Sequence, residues 1–200
     1  MSQQSQDREG TISATEWEQE IEIEIVRETV EVEYEIGDQV VYPHHGADKV
    51  LKKEMKEMLG EKREYLTIKI LHNDMTVMVP CENAGKAGLR RIIDAETVQK
   101  VLGVLSADIS EMPKNWNRRF KHNRDKIKTG DIYELAEVVR NLAIREQDKG
   151  LSTGEKQMYT RAKKILASEL MYALEMTEDQ AEEHLDGILT GDRVKVTAAS

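Results

Sequence analysis

The chain has 200 residues, a formal net charge of −9, 39% apolar content and only 4% aromatic content. That length accommodates two small domains, each with a modest core built on Val, Ile, Leu and Met. The lone Cys81 excludes an internal disulfide and a cysteine zinc cage; with no apolar run of membrane-span length and no signal-peptide core, a soluble, cytoplasmic protein is expected.

The acidity is local. Residues 1–36 hold eleven acids against two bases, whereas residues 37–200 hold 27 of each sign. The overall balance therefore says nothing against nucleic-acid binding by the larger part of the chain. Residues 1–15 are polar without periodicity and read as disordered. From Ile21 to Ile36, β-branched residues alternate with glutamates, with a phase change between Ile25 and Val26. Two readings stand side by side: a flexible acidic arm, or an added strand or hairpin on the sheet that follows.

Gly37 to Ile93 reads as a small β domain. Gln39–Pro43 is a short strand ended by proline. Asp48–Met58 and Glu64–Leu71 flank a turn at Gly60, Asn73-Asp74 is turn chemistry, Met75–Pro80 alternates again, and Leu89–Ile93 can close the sheet. So many short strands in so few residues suggest a strongly bent sheet or an SH3-like barrel.

From Asp94 the period becomes helical. Asp94, Asn115 and Asp131 are N-cap candidates for helices carrying Val98–Leu105, Trp116–Ile127 and Ile132–Leu142, the last stopping near Gly150. Ser152-Thr153-Gly154-Glu155 and Thr177-Glu178-Asp179-Gln180 are capping-box patterns opening two more. Five helices with short connections make a compact bundle, and Thr190–Ser200 reads as a loose tail. The fold class is α+β, with a β domain over 34–93 and a helical domain over 94–190. An acidic extension (1–33) precedes them and a tail (191–200) follows.

The stretch Pro113–Lys128 runs against the acidic background. Lys114, Arg118, Arg119, Lys121, Arg124, Lys126 and Lys128 face one acid, Asp125, and one of only two tryptophans, Trp116, stands at its start. Cations attract phosphates, and an aromatic ring can enter a base step. The bland alternatives are a core-anchoring tryptophan and a solvated helix face. Against them, the residues around Trp116 are Asn115, Asn117, Arg118 and Arg119. Arg161, Lys163 and Lys164 form a second, weaker basic group, flanked by Glu155 and Glu169.

His44-His45 lacks an acid or cysteine at ligand spacing and reads as a turn rather than a metal site. Cys81 has no base beside it and reads as a small, half-buried residue. The sequence contains no GxSxG, P-loop, GxGxxG or HExxH motif, and no catalytic residue, cofactor or metal is assigned. The reading is a non-enzymatic protein with no small-molecule substrate.

Several segments resemble the CarD/CdnL family of bacterial RNA polymerase-binding transcription regulators. They are GDQVVYPHHGA (37–47), EYLTIKI (64–70), TVMVPCENA (76–84), NWNRRFKHN (115–123), GDIYELAEVVRNL (130–142) and KGLSTGEKQMYTRAKKIL (149–166). The likeness runs in order from about residue 34 to 189. It implies a Tudor-like domain docking on the polymerase β subunit and a helical domain contacting promoter DNA at the upstream edge of the bubble. It also implies stabilisation of the melted promoter, in the bacterial cytoplasm and at the nucleoid through the polymerase. Trp116 matches the family's wedge, and Arg118, Arg119 and Lys121 match its basic neighbours; Lys114 and Arg124 extend the DNA-binding set.

On the polymerase side, Lys56 keeps a basic position, but Met78 stands where the resemblance expects an arginine. A methionine cannot make a forked bond to a carboxylate. Two outcomes are expected side by side: weaker docking, or docking that uses Arg63, Lys69 or apolar contact by Met78 instead. The acidic arm is a second departure, read as touching a basic polymerase surface or competing with DNA for the basic patch. The rival from another class is a protein-interaction adaptor that never touches DNA, with Trp116 as its hot spot.

Overall fold

A computed structural model describes residues 33–43, 45–58, 60–70 and 76–191, which fall within one compact unit beginning at Glu33. Most of the alternating acidic segment, His44, the Asn73-Asp74 turn and most of the tail lie outside the described residues.

Five antiparallel strands come first: β1 (Gln39–Tyr42), β2 (Gly46–Met58), β3 (Glu61–Lys69), β4 (Thr76–Pro80) and β5 (Arg90–Arg91). They lie in the order β4-β3-β2-β1-β5, so both sheet edges are short strands. The strand reading holds in order. The closing strand is only two residues long, paired through Val40–Arg91 and Val41–Arg90. Gly60 turns β2 into β3 at φ +82, a conformation that L-residues with a Cβ rarely adopt. The β2–β3 register shifts between Val50 and Lys52. This irregularity re-aims β2: Val50, opposite Ile68, points to the core, while Lys52, opposite Thr67, points outward. Val40, Leu66, Ile68, Val79 and Leu89 complete the sheet core with Tyr34, whose hydroxyl donates to the Leu89 carbonyl at 2.8 Å.

Five helices follow: α1 (Ala95–Leu105), α2 (Trp116–Thr129), α3 (Ile132–Lys149), α4 (Thr153–Ala173) and α5 (Glu178–Leu189). Each starts at its expected cap. Asp94, Asn115, Asp131, Ser152 and Thr177 all accept backbone N–H bonds, and Ser152 and Thr177 close full capping boxes with Glu155 and Gln180. Val98, Val101, Leu105, Leu135, Val139, Leu166, Leu170 and Leu185 pack together as the bundle core. Among the described residues, no helix is long and apolar enough to cross a membrane.

Sheet and bundle meet along α4. Ser168 Oγ accepts the Ala47 N–H at 2.9 Å and donates to the Ile165 carbonyl at 2.7 Å. Gly46, at φ +101, makes this approach feasible, because a Cβ there would stand 2.6 Å from Ser168 Oγ. One residue on, the buried Glu169 carboxylate takes a forked pair from Arg90, at 2.5 and 2.9 Å, and the Ile93 N–H at 3.1 Å. Tyr172 donates to Asp48 at 3.2 Å.

Candidate nucleic-acid interface

α2 begins at Trp116 because Asn115 holds an extended backbone and its side-chain oxygen accepts the Arg118 N–H. Cap geometry thus fixes where the indole leaves the helix. Trp116 is 43% exposed, the outcome that a core anchor would not give. Phe120, one turn on, stacks against it with ring centroids 5.3 Å apart. The Trp116 Nε1–H donates to Ser152 Oγ at 2.8 Å.

Ser152 belongs to the α3–α4 connection, which is itself pinned. Leu151 packs against Val138 and Leu142, and its N–H donates to the Glu146 carboxylate. Ser152 Oγ donates to Glu155 Oε2 at 2.9 Å, and Glu155, 1% exposed, binds Arg119 Nε through Oε1 at 2.7 Å. Burial pushes the Glu155 carboxyl up, but the bonds from Arg119 and Ser152 win and hold it below the ordinary carboxylate range.

Arg119 does not fit the phosphate-binding role expected of it. It is 4% exposed, and besides gripping Glu155 its Nη1 donates to the carbonyls of Pro113 and Lys114. It therefore ties the loop before Trp116 to the helix end beneath it. The sequence contains the signal: Arg119 lies three residues after Trp116 and four before buried Asn123, on the inward stripe of α2.

Lys114, Arg118, Lys121 and Arg124 all stand exposed. Among the described residues, no ion pair engages the side chains of Lys114, Arg118 or Lys121; Arg124 lies 3.6 Å from Asp125. Lys126 turns inward to Glu137 at 2.7 Å. Glu137 also accepts from Ser110 at 2.5 Å; burial opposes its charge, but Lys126 and Ser110 bring its affinity for a proton below the usual value. Arg140 and Asn141 bind the same serine, at 3.0 and 2.7 Å, so the loop delivering Trp116 is anchored on α3. The second basic group does not extend this face as a free patch, since Lys163 pairs with Asp186 at 2.6 Å and Arg161 and Lys164 are also engaged.

The residues expected to meet the polymerase share one face of the sheet. Lys56 pairs with Arg63 across β2–β3, Thr67 with Met78 across β3–β4, and Lys69 with Thr76. Opposed residues point the same way, so the register puts Lys56, Arg63, Lys69 and Met78 on the side away from the sheet core. Lys56 Nζ lies 3.2 Å from Met78 Sδ and 3.0 Å from Glu54. Arg63 pairs with Glu61 and, at 2.5 Å, with Glu82. Met78 is 42% exposed. Away from both faces, His45 stacks on Tyr42. Cys81 is half-buried, its thiol pushed up by burial and by the nearby Glu64.

Two family profiles match the chain: the CarD-like/TRCF RID domain over residues 34–93 and the CarD C-terminal domain over residues 100–186. A Bacillus subtilis (strain 168) protein, the candidate transcription factor YdeB, is 38% identical over 147 residues, covering 74% of this chain and 96% of that protein. The 72-residue N-terminal domain of Myxococcus xanthus CarD, solved by NMR in solution, is 32% identical. That match covers 30% of this chain and 79% of that one, with a TM-score of 0.27.

Proposed function

The chain belongs to the CarD family, and from that membership we propose that it is a transcription regulator that grips RNA polymerase with its sheet and promoter DNA with its bundle. The outer sheet face, with Lys56, Arg63, Lys69 and Met78, docks on the β subunit. Trp116 meets DNA at the upstream edge of the bubble, while Lys114, Arg118, Lys121 and Arg124 take adjacent phosphates. Arg119 stands outside this set and serves beneath it.

The observation that carries the reading is the half-exposed indole beside Lys114, Arg118 and Lys121, which among the described residues have no acidic partner. Docking on polymerase gives a weak DNA contact a high effective concentration. Binding the bubble edge better than closed duplex shifts the closed–open equilibrium, and only that difference counts. The protein therefore lengthens the life of the open promoter without chemistry of its own.

The deciding experiment follows open-complex lifetime with the parent and with Trp116→Ala. A shortened lifetime with an intact fold is the expected result; parental lifetime would overturn the DNA contact. Photo-crosslinking from position 116 in the polymerase–promoter complex separates this reading from the adaptor reading. DNA adducts support the first, and protein adducts alone support the second.

A further inference from the structure

Trp116 has one face covered and its single donor committed. Phe120 stacks on one side, and the edge of the six-membered ring runs over Gly154, where an added Cβ would sit 3.7 Å from Trp116 Cζ2 and 3.4 Å from Phe120 Cε2. The indole N–H goes to Ser152. That hydroxyl is itself fully used: its proton goes to Glu155, and it accepts from both the indole and the Glu155 backbone N–H. Glu155 is held in turn by Arg119, with Arg145 3.8 Å away.

We infer that Trp116 is a one-sided stacking platform whose outer face receives a single base, and that Ser152, Glu155, Arg119 and Phe120 are positioning residues that fix its angle without touching nucleic acid. The inference rests on the DNA reading above and specifies how the ring is used. A ring backed by Phe120 caps the end of a stack and does not slide between two base pairs. With its N–H spent on Ser152, it cannot read acceptors on a base edge, so it tolerates any base that offers a π face. Gly154 leaves room for this arrangement at the first turn of α4.

The test uses the full chain in a Trp17→Phe background, so that Trp116 is the sole tryptophan fluorophore. Ser152→Gly removes the hydroxyl while retaining most of the stability of the helix cap. In the free protein it raises acrylamide quenching of Trp116 and lowers its anisotropy. On polymerase–promoter complexes it shortens open lifetime by roughly threefold to tenfold, the worth of one hydrogen bond. Ser152→Thr restores both readouts, and Ser152→Gly adds nothing on top of Trp116→Ala. Unchanged ring mobility, or additive losses in the double variant, overturns the inference. If Trp116→Ala shortens the lifetime and Ser152→Gly does not, only the positioning claim fails. If Trp116→Ala has no effect, the DNA reading fails and the platform with it.

Discussion

The outer face of the sheet and the outer face of α2 are both basic, but their charges stand in different states. On the sheet, Lys56 is matched by Glu54, and Arg63 by Glu61 and Glu82. At α2, Arg118 and Lys121, with Lys114 just ahead of the helix cap, project without acidic partners among the described residues. A paired cation must exchange one carboxylate for another when it binds, so the gain is small and short-ranged. An unpaired one offers its full field, which reaches about a Debye length and fades with salt. On the function proposed above, the paired sheet charges suit a fitted protein contact and the unpaired charges at α2 suit attraction to a polyanion.

That contrast is sharpest between two adjacent arginines on α2. Glu155→Ala leaves Arg119 buried without its carboxylate, and breaking a buried pair in this way costs about 3–5 kcal/mol. A large fall in the thermal midpoint is expected, whereas Arg118→Ala should move stability by no more than about 0.5 kcal/mol. Equal effects would erase the distinction between neighbours.

Trp116→Ala comes next. Base–aromatic stacking is worth about 1–3 kcal/mol, so open-complex lifetime should drop by about tenfold or more while the fold stays intact. Replacing Arg118 and Lys121 by glutamine should flatten the slope of log affinity against log salt by about 0.9 for each phosphate no longer neutralised. The Lys56→Gln change on the sheet should leave that slope as it is. A slope altered equally by both would show that the two faces do not divide the work.

The smallest effect belongs to the join between the two regions. Burial first, and the neighbouring Asp48 second, push the Tyr172 phenol from 10.0 up to about 12. A raised value favours the protonated form in the folded state. Its stabilising contribution is complete below pH 10 and disappears as pH climbs through about 12. Ultraviolet titration should find this late phenol, and Tyr172→Phe should remove its share of the alkaline loss of stability.

The features most legible in the sequence are the local ones. All five helix caps are visible there because a cap is settled within four residues, and the strands because β-branched alternation needs only its own segment. Trp116 stands out through its immediate neighbours. The fate of Arg119 depends on Glu155, 36 positions away, and no local pattern couples them; its place on the inward stripe is the only hint. Ser152 reads as a cap and nothing more, since its second task needs the indole brought alongside by tertiary packing. Gly46 likewise gives no sign in the sequence that Ser168 lies against it.

The seating of that turn on α4 has a mechanical consequence. Ser168 holds the Ala47 amide, Glu169 clamps Arg90 and the Ile93 amide, and Tyr172 reaches Asp48. A load on the strands reaches the helices through these bonds. Within residues 33–191 the strands are therefore moored to one helix at successive points, and the closest of them depends on a glycine with no Cβ to hold Ser168 away.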